Sequence, residues 1–86
     1  MPTISLFFGI IIRMFFDDHA PPHFHAQYGE FKAVLSIRDL RVIEGELPRR
    51  ALELVCDWAE LHKDDLLRNW DLCREHQQPM KIEPLQ

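Results

Sequence analysis

The stretch HFHAQYGEFKAVLSI, from His23 to Ile37, decides the fold. His23 to Tyr28 alternates at period two, the pattern of a strand with one buried face. Phe24, Ala26 and Tyr28 point one way, and His23, His25 and Gln27 the other. Gly29-Glu30 fits a two-residue hairpin turn with glycine first. Phe31, Ala33, Leu35 and Ile37 then continue as the inward set of a second strand, leaving Lys32, Val34 and Ser36 outward. An antiparallel hairpin is the element around which the rest must pack.

Towards the N-terminus, Pro21-Pro22 cannot donate to a sheet ladder and holds the chain extended. The run from Ile4 to Phe16 is apolar, but it lacks a basic start and a small-residue cleavage site, and Arg13 interrupts it. It is too short to span a bilayer and is read as strand. Its defined part is GIIIRMFF, from Gly9 to Phe16. Ile10, Ile12, Met14 and Phe16 form one face, and Ile11, Arg13 and Phe15 the other. Two apolar faces place this strand centrally or beneath a partner subunit.

Towards the C-terminus, a shorter strand from Arg41 to Glu44 ends near Gly45, and Pro48 suits the first turn of a helix. Leu52, Val55, Ala59, Leu66, Trp70 and Cys73 follow helical spacing to about His76, widened in the first half by Leu54, Trp58 and Leu61. Such a helix would be roughly 43 Å long, more than a small sheet can cover. It either kinks near Lys63-Asp64-Asp65 or packs its distal half on another chain. Met80 to Leu85 alternates weakly, as an added edge strand would, limited by Pro84. The expected fold is α+β, a small antiparallel sheet of three to five strands packed against one long, kinked or overhanging helix, in a single domain over residues 1–86.

A chain of 86 residues buries only a little over half of its unfolded surface, so self-association is expected. The composition, 47% hydrophobic and 28% charged, is that of an ordinary globular protein. A net charge of -4 gives no general pull towards nucleic acid or anionic membrane. Cys56 and Cys73 lie roughly 25 Å apart along one helical pattern, beyond disulfide reach, and are read as reduced thiols in a cytoplasmic protein.

The phrases PTISLFFGIIIRM, DHAPPHFHAQYGEFKA, GELPRRALELVCDWAELH and KIEPL, in this order, resemble the bacterial family called domain of unknown function 4160. The resemblance spans nearly the whole chain, and the proline-histidine phrase is its specific part. It implies a stand-alone protein whose gene often neighbours that of another small domain, in a pairing of toxin–antitoxin type. It transfers no catalytic residue. Ala20 departs from the polar residue common in relatives, which weakens any hydrogen-bonding role for that turn.

The chemically distinctive feature is His19-Ala-Pro-Pro-His23-Phe-His25. His23 and His25 project from one face of a strand, a spacing at which two imidazoles can share a metal ion. His19, on the adjoining loop, with Asp17 or Asp18, completes a set of three or four ligands for a divalent metal such as zinc. The structural reading ranks ahead of this one: the histidines fix the loop by bonding to neighbouring carbonyls or to Asp17, since no cysteine pair or HExxH helix accompanies them. No cofactor is otherwise expected. Arg13 and Lys32 flank His23 and His25 on the same face and make it an anion-binding surface, on which a histidine could serve as general acid or base in a ribonuclease. Trp58 and Trp70 are assigned to packing, and the mixed charges of the helix to a solvated face.

The leading functional reading is a protein-interaction module, either self-associating or one half of a two-gene pair. The alternative is a small hydrolase or ribonuclease acting through the histidine face, with Arg13, His19, His23, His25 and Lys32 as its binding residues. No membrane partner is expected, and nucleic acid is not favoured.

Overall fold

Alternation in the N-terminal half yields a five-stranded antiparallel meander, and helical spacing in the C-terminal half yields two helices that cover one of its faces. The computed structural model describes residues 2–86. The strands are β1 (Thr3–Phe7), β2 (Ile10–Arg13), β3 (His23–Tyr28), β4 (Phe31–Ser36) and β5 (Val42–Gly45), paired in chain order. The helices are α1 (Arg49–Leu61) and α2 (Lys63–Arg74). The class is therefore the expected one, with the central hairpin in the expected register: Phe24 opposes Leu35 and Ala26 opposes Ala33.

Three details of the sheet differ. The apolar run expected as strand is a hairpin, β1 and β2, because Phe8 and Gly9 both take positive φ (49° and 79°), as a two-residue turn matched to strand twist requires. β2 is central, as its composition demands, and Ile10, Ile12 and Met14 are buried. Phe16 leaves that set, because strand pairing stops at Arg13 and the chain turns through Asp17 at φ 63°. Tyr28 and Phe31 flank the β3–β4 turn and are exposed, while Ser36, expected outward, is buried.

The single long helix is two. It breaks at His62 (φ -120°), just before the acidic pair at which a kink was expected. The physical reason is length. A straight helix of roughly 43 Å would overrun a molecule whose longest extent is 33 Å. Breaking it folds Leu66, Trp70 and Cys73 back into the core already occupied by Val55, Trp58 and Ala59. The new N-terminus carries Asp64 and Asp65 in its first turn, where carboxylates complement the helix dipole. Lys63 Nζ donates to the Arg38 carbonyl at 2.6 Å, fixing the break against the β4–β5 connection.

Trp58 is the centre of the core, its ring 5.3 Å from Phe7 and 6.0 Å from Phe24. Its indole N–H donates to the Glu83 carbonyl at 2.9 Å, so it also fastens the tail. The tail is not a strand. It crosses the helices instead, held by the buried Asn69 side chain, which donates to the Met80 carbonyl and accepts from the Met80 amide. The Ile82 amide adds one bond to the Ile4 carbonyl of β1. Both cysteines are free. Among the described residues, no helix is long and apolar enough to cross a membrane.

Candidate metal centre

The helices and tail cover the face carrying Ile10, Ile12, Phe24, Ala26, Ala33 and Leu35. The other face is left open, and strand register decides what it presents. Arg13 pairs with His25, His25 with Val34, and Val34 with Glu44; one row along, Ile11 pairs with Gln27 and Gln27 with Lys32. These residues and Phe15 line a concave groove of about 390 Å³.

At one end of the open face, the loop from Met14 to Pro22 brings Asp18 over β3. One carboxylate oxygen, Oδ2, meets both histidines: it lies 3.1 Å from His25 Nε2 and 3.2 Å from His23 Nε2. Each of the three residues offers a ligand atom within 4.8 Å of the other two. His23 Nδ1 lies 2.8 Å from the Pro21 carbonyl oxygen. A carbonyl can only accept, so Nδ1 carries the proton and donates. In a neutral ring Nε2 then presents a lone pair to the Asp18 carboxylate, which also only accepts. An electropositive centre, either a second proton or a cation, is needed between them.

The surroundings hold this geometry. Trp70 of α2 packs against the His23 ring at 5.0 Å, and Phe15 meets His25 edge-on at 4.2 Å. Asp17 turns away from the cluster to His76 Nε2 at 2.9 Å, with Phe16 stacked on the His76 ring. The loop is thereby tied to the end of α2. Burial pulls the His25 pKa below its ordinary value, against the Asp18 hydrogen bond and charge, with the His23 charge adding to the fall. A neutral imidazole is the form that binds metal. The Cys73 thiol is pushed up by burial and by the Asp18 charge.

Of the residues singled out in the sequence, His23 and His25 converge and His19 does not: it is exposed on the loop, outside the cluster. Asp18, one of two carboxylates considered, takes its place, and the hydrogen bond to the loop that was assigned to Asp17 comes from Asp18. Arg13 and Lys32 do share the groove. Gln27 joins them through a 2.7 Å hydrogen bond from Arg13 Nη1 to its Oε1. Strand alternation already put Gln27 on this face. Glu44, the Pro21 carbonyl and Trp70 were missed; register and helix docking, which place them, have no local signal.

Zinc-class ions hold nitrogen and oxygen ligands at about 2.0–2.2 Å, so neighbouring ligands stand roughly 3.3 Å apart in a tetrahedron. The two His–Asp separations already match that edge. His23 Nδ1 bonded to a backbone carbonyl is the usual support of a metal-ligating imidazole. Three protein ligands leave a coordination position for water or substrate.

The family described as a domain of unknown function (DUF4160) matches residues 9–71, and this chain belongs to it. The match contains every residue of the cluster and of the groove and excludes β1 and the tail. No curated protein and no solved structure matches the chain.

Proposed function

We propose that this domain binds a divalent metal of the zinc class through Asp18 Oδ2, His23 Nε2 and His25 Nε2, and uses the ion's free position for hydrolysis. The observation that carries this reading is the facing of two acceptors, His23 Nε2 and Asp18 Oδ2, at 3.2 Å, with the other ring nitrogen committed to Pro21. A cation resolves that conflict and uses the His25 nitrogen as well. Two imidazoles and a carboxylate with an open position are the ligand set of metal-activated water. Within it, Asp18 would offset the ion's charge and His23 would be oriented by Pro21 and Trp70. The test is elemental analysis of untagged protein purified without chelator. Near-stoichiometric metal in the parent, lost in Asp18→Asn and in His25→Ala but kept in His19→Ala, supports the reading; metal-free parent protein that takes up none on dialysis ends it.

A second reading, association with another copy or with a neighbour-encoded partner of a toxin–antitoxin-like pair, draws on a different observation. Leu6 and Phe8 of the first hairpin are 58% and 59% exposed, and Ile43 on the opposite edge strand is 51% exposed. Phe15 is packed against His25, so the discriminating charge substitution belongs at Phe8. Light scattering of the parent and of Phe8→Lys decides this reading: a dimer that the substitution dissociates supports it, and a strict monomer at high concentration removes the self-association form.

A further inference from the structure

We propose that the open face of the sheet binds a nucleoside phosphate, its phosphate held by Arg13 and Lys32 and its hydroxyl- or amine-bearing end directed to Glu44. This gives the metal-centre reading a substrate class and in that sense rests on it, although the groove itself contains no proposed metal ligand except His25. The volume, about 390 Å³, lies within the range of small-molecule sites, as does a lining that is mostly apolar with a few polar groups. Ile11, Phe15 and Val34 supply the apolar floor, and Arg13, Lys32 and Glu44 the charge.

The charges are separated along the face. Arg13 Nη1 is bonded to Gln27, which turns the guanidinium towards Lys32, the register partner of Gln27. Among the described residues neither cation has an ion-pair partner. Arg13 and Lys32, neither held in an ion pair, give the apolar floor a positive side, and a guanidinium fork matches phosphate oxygens in pairs. Glu44 lies in the row of Arg13 but three strands away, about 14 Å at strand spacing, while Lys32 stands between them, on the strand beside Glu44 and one row off. At that distance it does not neutralise Arg13. It can accept hydrogen bonds from a ribose hydroxyl or an exocyclic amine. A cationic side, an apolar floor and an acceptor end match a molecule with phosphate at one end, a planar ring and donors at the other. The net charge of -4 opposes a long polyanion and favours a small ligand over an RNA strand.

Calorimetric titration of the full chain with adenosine monophosphate, first after EDTA treatment and then after zinc loading, tests this. Binding is expected in both states. Inorganic phosphate and adenosine should each bind at least about tenfold more weakly, and Arg13→Gln with Lys32→Gln should weaken the nucleotide by at least about tenfold, the loss of charged hydrogen bonds. Glu44→Ala should weaken the nucleotide but not inorganic phosphate. Binding in EDTA reads the groove alone and elemental analysis of the same protein reads the metal centre, so a failed metal site and a failed groove read differently. Unchanged melting temperatures confirm that the variants are folded, and amide shifts on titration should centre on Ile11, Gln27 and Val34. No binding, binding no tighter than inorganic phosphate, indifference to the double substitution, or shifts elsewhere would each overturn the proposal.

Discussion

If Asp18, His23 and His25 hold zinc, the ion must stabilise the fold, because the unfolded chain scatters these ligands. For one site, a free metal concentration about 100-fold above Kd adds about 2.7 kcal/mol. In a domain of this size each kcal/mol moves the melting temperature by roughly 4–8 °C, so the shift should be roughly 10–20 °C. Each further tenfold in free zinc should add about 1.4 kcal/mol. Differential scanning calorimetry in EDTA and at a series of buffered zinc concentrations reads this directly. Asp18→Asn keeps the shape of the side chain and removes the anionic ligand, so the zinc shift should largely vanish while the EDTA melting point stays close to the parent's. His19→Ala should keep the full shift, since His19 is exposed outside the cluster. An equal zinc response in the parent and in Asp18→Asn would refute the assignment of ligands. No response in either would show that the needed positive centre is a proton and that the histidines serve the loop alone.

Asn69→Leu should cost about 1–3 kcal/mol in urea unfolding, because it removes both hydrogen bonds by which the buried Asn69 side chain holds the Met80 amide and carbonyl; a neutral result would mean that the tail contributes nothing to the fold. Gly45→Ala should cost at least about 1–3 kcal/mol, since Gly45 has φ 78° and an added Cβ would overlap the Lys32 carbonyl oxygen. A measured cost near zero would mean that β5 does not sit on β4 as described. Acidification should destabilise the metal-free protein through His25. Its ring keeps the ordinary value of 6.5 when unfolded and a lower one when folded, so the unfolded state holds the proton over that window. The contribution is present above 6.5 and is lost as pH falls through the folded value. Burial is the main cause, reinforced by the His23 charge and set against Asp18 and Glu44, with Arg13 opposite in register. Stability between about pH 5 and about pH 8 should therefore fall more steeply on acidification in the parent than in His25→Asn; the reverse order would contradict the burial argument.

What the sequence disclosed and what it hid divide along physical lines. Period-two alternation in 23–37 needs only neighbouring residues, and it placed β3, the turn at Gly29 and the inward pairs Phe24 with Leu35 and Ala26 with Ala33. It also put Arg13, His25, Gln27 and Lys32 on one face. The turn at Phe8-Gly9 was hidden because Phe8 at positive φ is contrary to its local preference and is tolerated only where the hairpin demands it. The break at His62 was approximated by a length argument alone; its position depends on Lys63 reaching the Arg38 carbonyl, a tertiary contact. The ligand set shows the same limit. Two histidines on a strand were legible, but choosing between Asp17, Asp18 and His19 required knowing that Asp17 is drawn away to His76 at the end of α2.

That last contact shows what the helix break does for the site. Because α2 folds back, Trp70 forms a wall against His23 and His76 holds the loop that carries Asp18, so the cluster lies on the seam between sheet and second helix. Two ligands are on a strand and one is on a loop, and α2 braces both. Trp70→Phe should reveal this coupling. The substitution keeps an aromatic core residue but shortens the wall, and loss of such orienting contacts costs about 10–100-fold in metal affinity. Trp70→Ala would remove about 3–5 kcal/mol of packing, so the smaller change is the informative one. Competition with a chromophoric chelator gives the affinity, and urea unfolding in EDTA gives the fold stability separately. A zinc affinity that falls by about tenfold or more in Trp70→Phe while Asn69 and Trp58 remain buried on the same scaffold identifies α2 as the brace of the ligand set. Unchanged affinity would mean that the Pro21 carbonyl alone orients His23, and that the second helix serves the core without serving the site.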